Sequence, residues 1–431
     1  MTCDTDEDDS SIKLDIRCLE INDGGPWKRF FEEGLGALLA DKHFLLLYVP
    51  KDGAKMRIIR PATDPYHRQR MIKRVNGAES IPSFYYALSH LWGISKENRH
   101  FWEEIGDYVD DTDGQPAAPV SMRPEKRATL LALLKAHPDS YWWIDVLCAR
   151  TDTPLDIMGD IYSCCLECVA MIDCEPSLLS KFHTEKNTRE KLYDYDMYKR
   201  PSPEFLVRGK HLYAKYPQLV AQVYHLQQSA WWKRVWTWQE MALPYGVVRL
   251  MAETDDHHFQ TNTTTMDDLI NSFKNLFDVY YYLNATSDNE DRQHIAEKIK
   301  FMIEIYNART FSKHRFRKKS PARLGSLLSS LSYSSRRCMD PVDYVYGVLG
   351  MLQLKIPRMS DPNAVWQRLM SELEKYIEAM EDNQIEVNGV HCKVIGFDDR
   401  AYLVDLREAV AMSDVYDKLK FVESAIVVEN E

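Results

Sequence analysis

The sequence predicts an α/β protein in which helices flank a parallel sheet and a mostly helical region follows. Phe84 to Leu88 and Tyr141 to Leu147 are apolar runs of strand length, and the leucine stripe after Pro124 predicts a helix between them. Strand, helix and strand at this spacing form a βαβ unit, which requires parallel strands and a right-handed crossover. Leu166 to Ile172 predicts a third strand, and residues 361–381 repeat apolar side chains on one helical face.

Composition restricts the class of protein further. The 431 residues exceed the usual size of one hydrophobic core, so two or three domains are expected. The net charge of −11 argues against general nucleic-acid binding. No apolar run reaches the roughly 18 residues that a membrane span needs. Nine cysteines favour a reducing compartment, and the N-terminus lacks the basic and apolar regions of a signal peptide, so we expect a cytoplasmic protein.

The N-terminal part of the chain predicts an acidic tail followed by β-structure. Residues 1–11 are acidic and polar, as in a disordered tail. Residues 12–18 alternate apolar and polar side chains, and His43 to Val49 is an apolar run closed by a proline. Residues 94–122 are polar and rich in turn residues, which favours a surface insertion.

Helical patterns dominate the second half of the chain. Met158 to Ser163 predicts a short helix, residues 176–218 a peripheral helical excursion, and Gly246 to Met251 one further strand. Later elements are helices at 265–283, 291–311 and 402–422, and a hairpin whose turn is Asn388-Gly389. We therefore expect four segments: an acidic tail and N-terminal β segment at 1–79, an α/β domain at 80–250, a helical region at 251–355, and a C-terminal α+β segment at 356–431.

The stretch WWKRVWTWQEMALP, residues 231–244, contains four tryptophans in eight positions. At helical period it predicts one helix with Glu240 on an aromatic face and apolar side chains opposite. Burying a bare carboxylate costs several kcal/mol, so Glu240 must be paired, hydrogen-bonded or partly neutral. It is therefore either a structural latch or a chemical group.

Four stretches of the chain together resemble one protein family. They are YYALSHLWG at 85–93, WIDVLC with MGDIYSCC within 143–165, WWKRVWTWQE at 231–240 and DPVDYVYGVLG at 340–350. In this combination and order they resemble the fungal heterokaryon incompatibility (HET) domain family. The resemblance implies a flavodoxin-like α/β fold related to Toll/interleukin-1 receptor (TIR) domains. It also implies a role in fungal non-self recognition, innate immunity and programmed cell death.

The same resemblance implies an activity and a site. Some TIR relatives hydrolyse NAD with a glutamate on a helix, and Trp236 and Glu240 have the Trp-x-x-x-Glu spacing of bacterial members. NAD would be a substrate cleaved to nicotinamide and ADP-ribose, with Glu240 catalytic and self-association as the switch. Ligands of open parallel sheets lie beyond the carboxyl ends of strands. The expected NAD-binding residues are Ser89, Trp92, Gly93, Asp145, Arg150 and Trp236, with Trp92 or Trp236 as stacking surface and Arg150 at a phosphate.

A second interpretation stays open. Tryptophans at helical spacing are common in cores, and Glu240 could satisfy a buried arginine or backbone amides. Arg150 lies in Ala149-Arg150-Thr151, where the family usually has Ile-Asn-Gln after the cysteine, so the second motif is eroded. The chain could then be a non-catalytic interaction module or signalling adaptor that recruits an unknown protein partner. We expect no metal, because the cysteines between 164 and 174 lack a second spaced pair or a nearby histidine.

Overall fold

The computed structural model describes residues 12–17, 26–93, 99–185, 217–256, 261–271, 290–313, 320–380, 384–387 and 390–425. Some sequence predictions lie outside the described residues: the acidic tail of 1–11, residues 186–216 of the excursion, residues 272–283 of a predicted helix, and the Asn388-Gly389 turn.

An eight-stranded mixed sheet forms the centre of the protein, with strand order β10-β9-β8-β3-β7-β1-β2-β5. Strands β7, β3, β8 and β9 are mutually parallel, whereas β1 runs antiparallel to both β7 and β2. The predicted α/β class is confirmed. The strands of this sheet are β1 (Leu46–Val49), β2 (Met56–Ile59), β3 (Tyr85–His90), β5 (Val109–Asp110), β7 (Ser140–Ile144), β8 (Glu167–Ile172), β9 (Val247–Ala252) and β10 (Thr263–Thr265). A separate short pair joins β4 (Phe101–Trp102) to β6 (Val120–Ser121).

The parallel strands have the order of a flavodoxin-like sheet. Numbered along the chain, β3, β7, β8 and β9 lie in the order second, first, third, fourth. The chain leaves β3 toward β7 and then returns to the other side of β3 as β8. The point between the carboxyl ends of β3 and β8 is therefore the topological switch point, where ligands of such sheets bind. The central strands are almost wholly buried, because helices cover both faces of the sheet.

Helices before and within the sheet region are α1 (Pro26–Ala40), α2 (Pro65–Asn76), α3 (Arg127–Lys135), α4 (Asp145–Cys148), α5 (Ile157–Ser163), α6 (Pro176–Glu185), α7 (Pro217–Gln228) and α8 (Thr237–Ala242). Several begin with proline in the first turn, which needs no amide donor there. The side chain of Asp64 caps α2 by accepting from the His67 amide at 3.0 Å. The segment before residue 80 thus contributes two helices as well as the expected β-structure.

The C-terminal region is mostly helical, as predicted. Its helices are α9 (Glu290–Lys313), α10 (Pro321–Ser332), α11 (Asp343–Tyr346), α12 (Leu349–Leu352), α13 (Pro362–Glu378) and α14 (Met412–Tyr416). A small antiparallel sheet of β11 (Gln384–Val387), β12 (Val390–Phe397) and β13 (Phe421–Ala425) follows α13. Gly159 of α5 and Gly350 of α12 allow their helices to touch, since a Cβ at either would lie 2.7 Å from the other's Cα. Within the described residues, no helix combines the length and apolarity that crossing a membrane requires.

Several predicted elements differ from the structure. Within residues 94–122, expected to be a surface insertion, β5 joins the central sheet, and Trp102 and Met122 are buried. Residues 12–17 are not a strand, because the Ile16 amide donates to the Glu32 carboxylate rather than to a neighbouring strand. The predicted helix at 402–422 is wrong: only its middle is helical, and Phe421 belongs to β13, whose pairing with β12 overrides the helical pattern. The tryptophan stretch is not one helix. A 3-10 helix over Ala230–Lys233 precedes α8, and Arg234 between them is extended because the backbone there pairs with Arg337.

Candidate active site at the carboxyl edge of the sheet

Polar side chains stand at the carboxyl ends of the four adjacent parallel strands β7, β3, β8 and β9. Ser89 and His90 end β3, Asp145 follows β7, Asp173 follows β8 and Glu253 follows β9. Because parallel strands end at the same edge of a sheet, these groups share one region. The short helix α8 packs against β3 and β8 and brings Glu240 to the same region.

Glu240 lies at the switch point and is 5% exposed. The Ser89 hydroxyl donates a hydrogen bond to Glu240 Oε2, and the indole Nε1 of Trp231 donates to Ser89 Oγ at 2.8 Å. The pKa of Glu240 is raised to about 7, chiefly by burial and also by the charge of Asp145, while the charge of Arg234 opposes the shift. The carboxyl group therefore changes protonation near neutral pH, which is typical of groups that transfer protons or stabilise charge.

A second hydrogen-bonded chain runs beside the first. His90 Nε2 lies 2.9 Å from Asp145 Oδ1, and Lys126 Nζ lies 3.0 Å from His90 Nδ1. The Asp145 carboxylate only accepts, so we assign a ring proton to Nε2. Nδ1 lies between Lys126 Nζ and the Leu91 carbonyl oxygen, which is 2.9 Å away. Burial lowers the pKa of His90, and it lowers the pKa of the fully buried Lys126 to about 7. Burial alone would raise the pKa of Asp145, but His90, Trp92 and Arg234 hold it below its ordinary value.

Trp92 and Arg234 form the outer part of the site. Trp92 is 41% exposed and donates from Nε1 to Asp145 Oδ2 at 2.5 Å. The Arg234 guanidinium carbon lies 5.9 Å from the centre of the Trp92 ring, and Arg234 Nη1 donates to the His90 carbonyl at 3.0 Å. An aromatic face and a guanidinium are thus adjacent at the surface, above the buried carboxylates.

Asp173 and Glu253 have structural partners. Asp173 accepts from the backbone amides of Ala230 at 2.9 Å and Trp231 at 3.0 Å, so it caps the 3-10 helix and positions the Trp231 indole against Ser89. Glu253 forms an ion pair with Arg123 and lies 4.0 Å from Lys126 Nζ. These contacts connect the ends of β8 and β9 to the segments that cover the edge.

The structure brings together four of the residues predicted from the sequence, Ser89, Trp92, Asp145 and Glu240. Arg150 instead pairs with Asp111 at 2.8 Å and donates to the Leu147 carbonyl at 2.6 Å. Its contact with a phosphate stays a prediction.

Two other predicted binding residues have structural surroundings of their own. Trp236 hydrogen-bonds with its side chain to Asp343, whose pKa burial raises to about 6. Gly93 is required by close packing, because a Cβ there would meet the carbonyl of His100 and the backbone of Met122. A ligand contact of either residue stays a prediction.

Sequence reasoning missed several members of the cluster. Asp173 and Glu253 could have been found, because each directly follows a strand of the predicted parallel sheet. Lys126 gives no such signal, since a lysine at the start of a helix is usually exposed. Arg234 lies inside the tryptophan stretch, where the prediction of a continuous helix concealed its extended backbone and its position beside Trp92.

One comparison with known proteins finds a similarity to a family over part of the chain. Residues 85–240 match the family described as heterokaryon incompatibility protein (HET). The matched segment begins with β3 and ends at Glu240, so it contains the ends of β3, β7 and β8 and the residues that form the two hydrogen-bonded chains. No curated protein matches the chain, and no solved structure does.

Proposed function

We propose, from the match of residues 85–240 to the heterokaryon incompatibility family, that the protein acts in non-self recognition and hydrolyses NAD to nicotinamide and ADP-ribose at the carboxyl edge of its sheet. The observation that carries the proposal is the burial, hydrogen bonding and raised pKa of the Glu240 carboxyl group. Its carboxyl group is buried at the switch point of a flavodoxin-like sheet, accepts from the uncharged Ser89 hydroxyl, and has a pKa of about 7. A relation to TIR domains and a role in cell death belong to the same proposal.

The reaction needs the kind of group that Glu240 supplies. The bond between ribose C1′ and the pyridinium nitrogen breaks, its electron pair goes to that nitrogen, and nicotinamide leaves neutral. The ribose then carries an oxocarbenium-like positive charge, which a nearby carboxylate stabilises in a water-poor site. Water adds to C1′ and loses a proton, which the carboxylate accepts or passes to solvent. A group with a pKa near 7 performs both roles at neutral pH.

Trp92 and Arg234, in the outer part of the site, would recognise the dinucleotide. The exposed Trp92 ring offers a stacking face for a planar base, and the Arg234 guanidinium beside it is suited to a phosphate. His90 and Lys126 hold Asp145 in place behind Trp92, so the orientation of that ring is fixed by a buried network rather than by solvent.

Access to Glu240 requires a rearrangement, because the carboxyl group is 5% exposed. Trp231, which donates to Ser89, and the extended residue Arg234 both lie in the segment directly before α8. We propose that self-association displaces this segment and admits the substrate. The resting chain is then closed, and turnover rises with protein concentration.

The test is nicotinamide release by purified protein incubated with NAD over a range of protein concentrations. We expect turnover that rises faster than linearly with protein, and a loss of about 100-fold or more in E240Q. Glutamine keeps an acceptor for Ser89, so E240Q is expected to fold, which circular dichroism checks. Turnover of E240Q equal to wild type would remove Glu240 from the chemistry.

A non-catalytic interaction module or signalling adaptor is the second candidate. The observations that favour it are the closed position of Glu240 and the ion pair of Arg150 with Asp111 in the eroded second motif. Absence of nicotinamide release at every protein concentration, with self-association still present by light scattering, would support this candidate instead.

A further inference from the structure

Arg336, which lies 96 residues beyond Glu240 (336 − 240) and outside the matched segment, contacts the turn before α8 and the helix itself. Its side chain is 1% exposed. Nη1 donates to the Thr237 hydroxyl at 2.6 Å and to the Arg234 carbonyl at 3.0 Å. One guanidinium therefore holds both the first residue of α8 and the backbone of Arg234.

The other side of this guanidinium is held by the helical region. Arg336 Nε donates to Glu304 Oε1 at 3.0 Å, and the Ser334 hydroxyl donates to the same oxygen at 2.9 Å. The Met412 amide donates to the Arg336 carbonyl at 2.9 Å. Arg336 is thus fixed by α9 and by the start of α14.

The backbone pairing at the same place reinforces this arrangement. The Val235 amide donates to the Arg337 carbonyl at 3.1 Å, and the Arg337 amide donates to the Lys233 carbonyl at 2.6 Å. This pairing accounts for the extended residue that separates the 3-10 helix from α8.

We propose that Arg336 is a positioning residue for the active site, which fixes the Glu240 helix and Arg234 relative to each other, so that the helical region outside the matched segment completes the site. The kinetic part of this inference rests on the proposed NAD hydrolysis, whereas the positioning of Glu240 does not. Arg336 also acts on Glu240 through its charge, which opposes the effect of burial and favours the ionised carboxylate.

A second buried arginine provides a matched control. Arg309 is 2% exposed and donates to the Pro244 carbonyl at 2.6 Å and the Gly246 carbonyl at 3.0 Å, both after α8, and to the Met241 carbonyl within α8 at 3.5 Å. Its acidic partner is Asp267, with Nε to Oδ1 at 3.1 Å. Arg309 therefore stabilises the same part of the fold but does not hold Arg234.

The experiment compares the two arginines in the full chain. R336M/E304Q removes a buried ion pair without leaving a lone buried charge. R309M/D267N removes the pair of Arg309 with the partly exposed Asp267 and leaves Lys313, which also pairs with Asp267, in contact with solvent. The measurement is the pH titration of the Glu240 side-chain ¹³C carboxyl signal, assigned by its loss in E240Q. We expect R336M/E304Q to raise the midpoint by about half a unit or more, and R309M/D267N to leave it unchanged. Equal midpoints in both variants and wild type, or equal shifts in both variants, would overturn the proposal.

The conservative variants separate position from charge. R336K keeps the charge but cannot bridge Glu304, Thr237 and the Arg234 carbonyl together. We expect its kcat for NAD to fall about tenfold with KM within about threefold, and R309K to retain both values. If R336M/E304Q does not fold, the Glu240 carboxyl signal is compared in R336K and R309K instead. We expect its chemical shift to change in R336K and to stay unchanged in R309K. A change in R309K without one in R336K would contradict the proposal. Absence of NAD turnover in wild type would end the proposed activity and leave this spectroscopic test intact.

Discussion

A carboxyl group lies at each end of the parallel strands, but the two groups have different hydrogen-bond donors. At the amino end, Asp139 accepts from Arg70 at 2.5 Å, from Arg74 at 2.7 Å and from the Tyr48 hydroxyl at 3.0 Å. At the carboxyl end, Glu240 accepts from the uncharged Ser89. A carboxylate held by two cations is a latch between elements, whereas a buried carboxylate held by a hydroxyl keeps a variable protonation state.

The pKa shifts of the two carboxyl groups follow this balance. Burial would raise the pKa of Asp139, but the hydrogen bonds and charges of Arg70 and Arg74 hold it below its ordinary value. Burial raises the pKa of Glu240 to about 7. Two differences therefore act together: Asp139 is partly exposed and has two cationic partners, whereas Glu240 is buried and accepts from an uncharged hydroxyl.

A cavity does not by itself mark the site. A cavity of about 340 Å³ opens at the amino end, lined by residues that include Arg74, Tyr86 and His137. Arg74 is bound to both the carboxylate and the carbonyl of Asp139, and Tyr86 stacks on Trp142 with ring centres 4.7 Å apart. These groups already have partners inside the protein, so the candidate site is the closed carboxyl edge.

The largest expected effect is on the pH dependence of stability. Glu240 keeps its proton in the folded chain up to about pH 7 but loses it near 4.5 when unfolded, so the folded state binds more protons between these values. Its contribution to the free energy of unfolding therefore falls by roughly 3 kcal/mol as pH rises through this window. E240Q removes that loss and gains stability relative to wild type toward pH 8. Urea unfolding of both proteins from pH 5 to 8 checks this. The prediction is contradicted if the free energies of unfolding of wild type and E240Q change in parallel with pH.

The next largest effect is expected at the amino end. D139N removes the charge that holds Arg70 and Arg74, and should lower the free energy of unfolding at pH 7 by about 2 kcal/mol. Asparagine tolerates the left-handed backbone of Asp139, whose φ is 56°, so the loss reflects the ion pairs. Because the folded pKa is lowered, the stabilisation is present above the unfolded value of 3.8 and disappears as pH falls through the folded value. If D139N is as stable as wild type, the ion pairs of Asp139 do not stabilise the amino end of the sheet.

The smallest effect concerns recognition. R234Q keeps a donor for the His90 carbonyl but removes the charge beside Trp92, and should raise KM for NAD about tenfold, equivalent to about 1.4 kcal/mol. R150Q tests the phosphate contact predicted for Arg150; its existing pair with Asp111 predicts a change below about threefold. Calorimetric binding of NAD gives the same comparison if turnover is slow. An R150Q effect larger than that of R234Q would reverse the assignment.

Much of the fold could be predicted from the sequence, because its strands are apolar runs of strand length. The prediction of β7 over Tyr141 to Leu147 shows the limit of this reasoning, since the run continues into α4 at Asp145. The prediction of one helix for the tryptophan stretch was wrong. Its periodicity describes one helix, but backbone pairing with Arg337, which is distant in sequence, breaks it at Arg234.

The carboxylates of the site could be predicted from the sequence, but its buried cationic side chains could not. Glu240 and Asp145 are visible from an aromatic stretch and a strand end. Lys126 and Arg336 are buried only because distant elements close over them, and no local pattern indicates that. The charge balance that separates the two ends of the sheet is therefore a property of tertiary structure.

The most direct test is the titration of the Glu240 side-chain carboxyl in the wild-type chain, followed by ¹³C NMR and assigned with E240Q. The account predicts a midpoint near pH 7 for Glu240, while Asp139 stays ionised throughout that range. A midpoint for Glu240 at the ordinary value of 4.5 would contradict it, because the carboxyl edge would then be no different from the amino end.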